Sequence, residues 1–242
     1  CDLRPLFALN EQHASGTSGW RRVRNRIQGY LLPLVLPLNG FNMHRQAWTY
    51  LLRCIVTGHA PKGTRPLLDL ACMLSHLALF IGLPCLWFDA RDVLLVYALR
   101  VSILGFGLFA ILAPGHFPAA ARCLDAAARY EGHALVRQTS ATVNFQTSAL
   151  GRLLCSGLEF QIEHHLFPRV SHVHLAAMSR EVRAFCERHG LPYCSLPWGR
   201  AIWESWRVFF HPKPVCAASS AMCPTVAASA TPLPRSQRPP RR

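Results

Sequence analysis

Two long apolar runs lie near the middle of the chain and predict a pair of membrane-spanning helices. The first covers residues 67–88 and the second covers residues 93–113. At a rise of about 1.5 Å per residue, each run reaches about 30 Å, the thickness of a hydrocarbon core. Residues 89–92 alone separate them, so the pattern predicts a tight antiparallel hairpin. His76 and Arg100 interrupt the runs, and such side chains are costly in a membrane unless they face protein or water.

The segment before the hairpin has a broken pattern. Residues 30–41 are apolar but include Pro33, Pro37 and Gly40. This stretch is too short to span a bilayer, and proline interrupts helices, so we expect an interfacial or re-entrant piece. A proline-broken core segment of a water-soluble domain is the alternative. Residues 1–66 as a whole are therefore predicted to be cytosolic or interfacial.

Residues 114–211, after the hairpin, are amphipathic and rich in cations. Apolar side chains recur at positions 175, 178, 182, 185 and 186, which predicts a surface-packed helix that stops at Gly190. From residue 212 the composition falls to Pro, Ala, Ser, Thr and Arg. That composition is typical of disorder, so residues 212–242 are predicted to form a basic tail.

Composition and charge support a membrane protein. Of the 242 residues, 51% are hydrophobic and only 16% are charged, against roughly 25% charged residues in globular domains. The formal net charge of +14 is also typical of nucleic-acid-binding proteins. Here, however, the cations flank two nearly uncharged runs or lie in the tail, so we expect a membrane partner and no nucleic acid.

The distribution of cations predicts the orientation of the hairpin. Nine Lys or Arg residues precede residue 67 and fifteen follow residue 113, whereas the connecting turn holds one cation and two anions. Cytoplasmic segments carry an excess of Lys and Arg, so both flanks and both termini are predicted to be cytosolic. The predicted fold is an all-α integral membrane protein, a transmembrane helical hairpin followed by a cytosolic helical cap.

A cluster of polar residues within an apolar segment gives the best candidate for a functional site. Residues 158–169 read LEFQIEHHLFPR. On a helix, Gln161 lies three and four residues before His164 and His165, so one face presents an amide and two imidazoles. Neutral imidazole is a ligand for iron, copper and zinc, and the adjacent rings diverge by about 100°, which suits two metal ions. Glu163 points elsewhere and is expected to orient an imidazole. A polar turn that happens to hold two histidines is the alternative, which the apolar flanks disfavour.

The same residues carry a resemblance to a known family. The segment QIEHHLFPR, residues 161–169, resembles the third histidine box, Q-x-x-H-H, of the membrane fatty acid desaturases, in particular the front-end enzymes and their bacterial acyl-lipid relatives. Three further stretches are similar to segments of that family: DLRPLFAL at 2–9, QTSATVNFQ at 138–146, and the segment 170–193 that ends in ERHGLPY. The box therefore predicts where a metal site lies in this chain.

The resemblance implies a membrane enzyme that uses molecular oxygen, two electrons and two non-haem irons to introduce a cis double bond into an acyl chain. It implies an acyl-lipid or acyl-CoA substrate, and an electron donor of cytochrome or ferredoxin type. It assigns metal binding to Gln161, His164 and His165. His116, within GHFP, lies where family members carry an Asn-His pair and is carried over as a further ligand. The expected location is the endoplasmic reticulum in a eukaryote or the inner membrane in a bacterium.

Two other motifs of the family do not occur in this sequence. The patterns H-x-x-x-H and H-x-x-H-H, which supply five more imidazoles, are absent. Either they precede Cys1 in a longer protein, which the resemblance of residues 2–9 to the segment after the second box favours, or the chain is a degenerate relative without activity. A lipid hydroxylase on the same scaffold is a third reading, because it differs only in the fate of the substrate radical.

Overall fold

The computed structural model describes residues 7–124 and 134–216 of the chain. Residues 217–242 of the predicted tail, and the start of the segment at 2–9, lie outside them. The helices are α1 (Glu11–Ser15), α2 (Gly19–Thr57), α3 (Pro66–Leu77), α4 (Ala90–Leu112), α5 (Ala134–Ala141), α6 (Ala149–Cys155), α7 (Gln161–Leu166), α8 (His172–Arg188) and α9 (Trp198–Arg207). The strands are β1 (Cys123–Leu124), β2 (Asn144–Gln146), β3 (Ser195–Pro197) and β4 (Val215–Cys216). The chain divides into a first unit, residues 1–31 and 109–242, and a second unit, residues 32–108.

The predicted pair of long apolar helices is confirmed. One covers Pro66–Leu86, where α3 continues through a π-helical and then a 3₁₀ turn, and the other covers Ala90–Gly115. Both are long and apolar enough to cross a membrane. The second begins earlier than the hydrophobic run at 93–113 because the carbonyl of Asp89 accepts the backbone amides of residues 92 and 93. The connection is accordingly shorter than the predicted four-residue turn.

The predicted interruption at residues 30–41 is wrong, because α2 runs without a break through Pro33 and Pro37. A proline has no N–H, so Pro33 leaves the carbonyl of Gly29 without its helical donor. The indole Nε1 of Trp206 donates to that carbonyl at 3.0 Å. A side chain 177 residues away thus satisfies the group that the proline left open. Whether this stretch enters the bilayer stays a prediction.

Close backbone contacts join α2 and α4 in the second unit. A Cβ placed on Gly105 would come within 1.9 Å of the Leu36 carbonyl oxygen, and one on Gly40 would come within 2.3 Å of the Val101 carbonyl oxygen. One turn further on, the rings of His44 and residue 97 lie 6.2 Å apart. From one contact to the next, the residue number rises by four on α2 and falls by four on α4, so the two helices pack antiparallel. Small residues at such crossings let two backbones approach closely.

Three ionisable residues within the spans, His76, Tyr97 and Arg100, contact one another. The Nε2 atom of His76 lies 3.2 Å from the hydroxyl of Tyr97 and 3.4 Å from a guanidinium nitrogen of Arg100. That guanidinium also stacks over the ring of Phe80 at 4.1 Å, an attractive cation–π arrangement. These contacts give the costly side chains partners within the protein.

The first unit contains two short parallel ladders, which the all-α prediction missed. Strand β1 pairs with β4, and β2 pairs with β3 in the register Asn144 with Ser195 and Gln146 with Pro197. Helices α6 and α9 follow directly after β2 and β3. A buried core surrounds this second ladder; its members are Ala121, Val143, Phe145, Cys155, Cys194, Leu196 and Ala201. The unit is therefore mostly helical, with a small parallel sheet at its centre.

The predicted surface helix is confirmed as α8, which starts three residues before the first predicted apolar position. Leu175, Val182 and Cys186 form its buried face. The helix ends at Arg188, and Gly190, the expected stop signal, follows two residues later with a φ of +62° that reverses the chain. The amide of Leu191 then closes the turn on the carbonyl of residue 186 at 2.9 Å. This turn leads into the segment that carries Tyr193.

We predict that Gly105→Ala destabilises the protein by about 2 kcal/mol, because the added methyl group overlaps the backbone of α2. The matched control is Gly107→Ala on the same helix, where a Cβ meets nothing within 4 Å. The control is expected to be neutral or slightly stabilising, since alanine favours helix. Thermal unfolding of the full-length protein in detergent measures both. Equal midpoints for the two variants would contradict the close packing.

Candidate metal centre

Helix α7 carries the candidate box, and the side chain of Asn144 fixes its first turn. The helix has only six residues, too few to be stable alone. The Oδ1 atom of Asn144 accepts the backbone amide of Ile162 at 2.8 Å. Its Nδ2 atom donates to the carboxylate of Glu163 at 2.7 Å and to the hydroxyl of Tyr193 at 2.9 Å. One amide thus ties β2 to the box helix and to the segment after α8.

The buried carboxylate of Glu163 is the centre of this network. It receives a hydrogen bond from the Tyr193 hydroxyl at 2.7 Å in addition to the one from Asn144. Burial raises the pKa of Glu163, although both hydrogen bonds oppose the shift. Burial and the neighbouring carboxylate raise the pKa of Tyr193 as well. Glu163 is expected from the sequence to orient an imidazole, but the structure shows that its two oxygens accept from the amide of Asn144 and the phenol of Tyr193. The carboxylate therefore anchors α7.

The structure brings His116 and His165 together. Their ring centroids lie 5.0 Å apart and the ring planes are nearly perpendicular, at 88°. Burial, together with a smaller effect of the nearby ring of His165, lowers the pKa of His116 to about 4. Burial, and to a smaller extent the neighbouring ring of His164, also lowers the pKa of His165. Both shifts favour the uncharged ring, the form in which imidazole binds a metal.

Gln161 lies against the residue that precedes His116. A Cβ on Gly115 would come within 2.3 Å of the Gln161 Cγ atom, so the amide side chain occupies the space that any larger residue would need. Gln161 is 2% exposed, and its Oε1 atom has no hydrogen-bond partner among the described residues. A buried oxygen without a donor is costly unless it meets a cation or a donor from elsewhere. Its position beside the His116 loop makes it a candidate ligand.

His164 lies at the open side of this group. Its ring is 5.6 Å from that of His165, and the residue is exposed. Among residues 7–124 and 134–216, no set of three or more His, Cys, Asp and Glu side chains is arranged to hold a metal ion. The described residues therefore provide two facing imidazoles, a third at the edge and an amide oxygen. This arrangement matches part of a metal site and does not complete one.

Lys213 supports the loop that carries His116, a contact that no local sequence pattern indicates. Its ammonium donates to the carbonyls of His116 and Pro118 at 3.0 Å each, and to that of Ala121. The backbone amide of Lys213 donates to the carbonyl of Leu9. Burial lowers the pKa of Lys213 to about 8. The prediction that the tail begins at residue 212 is wrong for residues 213–216, because Lys213 makes these contacts and β4 pairs with β1 within the first unit.

Comparison with known proteins gives the family. A family model described as "Fatty acid desaturase" matches residues 5–197. The chain belongs to this family. The match includes the candidate box, the His116 loop and both helices that can cross a membrane. No solved structure matches the chain.

Curated relatives of the chain are also named as desaturases. The chain is 41% identical over 68 residues to Delta(8)-fatty-acid desaturase 2 of Arabidopsis thaliana, which is 28% of this chain and 15% of that protein. It is 33% identical over 101 residues to the Delta(8)-fatty-acid desaturase of Euglena gracilis, covering 41% of this chain and 23% of the relative. It is 32% identical over 101 residues to an NADPH-dependent stearoyl-CoA 9-desaturase of Mycobacterium tuberculosis, covering 40% of this chain and 24% of that protein. The matched segment is thus less than a quarter of each relative's length.

We predict that Tyr193→Phe destabilises the folded protein by about 1 to 2 kcal/mol, because the buried carboxylate loses a donor. Tyr30→Phe is the matched control, since the Tyr30 side chain is 72% exposed and keeps its ring contact with Phe210. The control should change stability by less than about 0.5 kcal/mol. Thermal unfolding of the full-length protein measures both variants. An unchanged midpoint for Tyr193→Phe would contradict the anchoring role of the network.

Removal of the Lys213 ammonium is expected to loosen the His116 loop. Lys213→Met leaves three carbonyls without their donor, and we expect a loss of at least about 2 kcal/mol. The other lysine of the chain is the exposed Lys62, so Lys62→Met serves as the control. Hydrogen–deuterium exchange of the full-length protein should show faster exchange across residues 116–121 in the first variant only. Equal exchange in both variants would show that the lysine does not hold this loop.

Proposed function

We propose that this chain is part of a fatty acid desaturase that introduces a cis double bond into an acyl chain with molecular oxygen and two non-haem irons. His116, Gln161, His164 and His165 are its proposed contribution to the metal ligands, and residues 161–165 are the proposed third histidine box. The observation that carries the proposal is the 5.0 Å distance between the His116 and His165 rings, next to a Gln161 oxygen that has no hydrogen-bond partner within the described part of the chain. Membership of the desaturase family over residues 5–197 supports it.

The chemistry of these donors fits iron. Imidazole nitrogen and amide oxygen are acceptable ligands for iron in a non-haem site. When bound, two non-haem irons supply the activation of oxygen needed to remove hydrogen from an unactivated carbon. The chain's own residues hold two rings in the neutral state by burial and leave one amide oxygen free to accept. The Asn144 network fixes the helix that carries three of the four groups.

A site with two irons needs more donors than the described residues provide. The matched segments cover less than a quarter of each relative, so most of each relative's length lies outside the match. We place the remaining ligands in such parts of the protein. His164, exposed at the edge of the pair, is accessible to such ligands.

The substrate class follows from the relatives. One is named for stearoyl-CoA and two for fatty acids desaturated at a Delta(8) position. We propose an acyl-lipid or acyl-CoA substrate for this protein. Its electrons are proposed to come from a cytochrome-type or ferredoxin-type donor, since desaturation consumes two of them.

We further propose that the first unit lies on the cytosolic side of the membrane, as a cap. The cations on both flanks of the two apolar helices and the acidic connection between them support this orientation. In a eukaryote the membrane would be that of the endoplasmic reticulum, and in a bacterium the inner membrane.

Alanine substitutions in the full-length protein test the ligand assignment. His165→Ala and His116→Ala should each abolish the unsaturated product and lower the iron content, while membrane insertion is unchanged, because the lost groups do not lie in the spans. His189→Ala is the control, since that ring packs on Phe185 at the end of α8. Gas chromatography with mass spectrometry measures the product, and plasma mass spectrometry measures the iron.

The outcomes separate the readings of this site. Normal product and iron in His165→Ala would refute the ligand assignment. A hydroxylated acyl chain from the unsubstituted protein would indicate a hydroxylase on the same scaffold. The absence of both iron and product from the unsubstituted full-length protein would indicate an inactive relative.

A further inference from the structure

Helix α6 exposes an apolar face that the proposed catalytic role does not use. Leu150, Leu153 and Leu154 are 65%, 75% and 55% exposed, although the helix has only seven residues. Gly151 and Cys155, on its other face, are buried in the first unit. Contiguous apolar side chains exposed at this level mark an interaction surface. The question is what covers the three leucines.

The second ladder fixes the level of α6 along the apolar helix. At the start of the ladder, the amide of Val143 donates to the carbonyl of Gly115, the last residue of the second candidate span. At its far end, the indole of Trp198 donates to the carbonyl of Ala110 at 2.8 Å. Ala110 lies five residues, or about 8 Å, inside the end of that span. The ladder therefore runs back toward the bilayer.

Both helices that follow the ladder start at its membrane side. Because β2 and β3 are parallel and Gln146 pairs with Pro197, the chain leaves both strands at the same end. Helix α9 begins at Trp198, and α6 begins three residues after Gln146. Ile111, from the end of the span, packs against the core that the two helices share. The end of β2 from which the chain enters α6 thus lies on the same side of the ladder as the start of α9.

From this placement we infer that α6 is an interfacial anchor whose three leucines insert into the acyl region of the leaflet in which the second span ends. Short amphipathic helices bury an apolar face about 5 to 10 Å into the boundary between headgroups and acyl chains. The exposed Arg152 lies beside the leucines, where a cation can reach lipid phosphate. Trp203 of α9, 56% exposed, adds an aromatic side chain of the kind enriched at this boundary. The inference does not depend on the iron site.

Photo-crosslinking of the full-length protein tests this inference. The protein carrying Leu153→benzoylphenylalanine is reconstituted in phosphatidylcholine vesicles that contain alkyne-tagged phosphatidylcholine, with the alkyne on the acyl chain. After illumination, tagged lipid should be attached several-fold more to this variant than to the control Glu187→benzoylphenylalanine. Glu187 is matched as an exposed helical position in the same unit, and it forms an ion pair with Arg183. Leu150→benzoylphenylalanine repeats the comparison at a second leucine.

Three results are distinguishable. Excess lipid adduct at both leucine positions supports the anchor. Lipid adduct equal to that of the control, or none, would overturn it. A discrete adduct with a protein, either a second copy of the chain or another polypeptide, would show that the leucine face is a protein interface and would overturn it as well.

Discussion

The buried hydrogen bonds of Asn144, Glu163 and Tyr193 hold the candidate metal centre in place. A carboxylate with no solvent exposure is unfavourable unless donors meet its oxygens, and one amide and one phenol do so here. The three residues are 19 to 49 positions apart in the chain, so the network forms only when β2, α7 and the segment after α8 assemble. The box helix is too short to be stable without it. The direction of the candidate ligands therefore depends on polar contacts behind them.

The other half of the candidate centre is built on the loop that leaves the second apolar helix. Gly115 provides the space that Gln161 fills, and the next residue, His116, faces His165. Lys213 holds this loop from behind by donating to three of its carbonyls, as the Asn144 network holds the box helix. Two supports from distant parts of the sequence thus bring the same small group of donors together. Among the described residues the Oε1 atom of Gln161 has no hydrogen-bond partner, which makes it a candidate ligand at this position.

Much of this architecture follows from local sequence patterns. Continuous apolar runs predict the two long helices because a bilayer demands length and apolarity and little else. The position of α8 follows from apolar spacing and a terminal glycine. The box residues stand out because two adjacent histidines are unusual in a segment flanked by apolar side chains such as Phe160 and Leu166. Each of these features depends on residues that are close together in the sequence, so it can be predicted from the sequence alone.

Features that depend on distant partners could not be predicted in this way. Trp206 donates to the Gly29 carbonyl that Pro33 leaves without a helical donor, and α2 continues through the proline. No residue near Pro33 in the sequence indicates this contact. Lys213 lies in a Pro-rich segment that reads as a tail, yet its ammonium is buried against backbone oxygens. The ladder strands have only two or three residues each, too few to show an alternating pattern. These elements are specified by tertiary contacts.

The most direct test of the account is anomalous diffraction at the iron absorption edge from crystals of the full-length, iron-loaded protein. We expect an iron peak within bonding distance of both the His116 and His165 rings, with Gln161 Oε1 directed toward the metal. Iron peaks bound by other histidines, with these two rings left in contact only with protein or solvent, would contradict it.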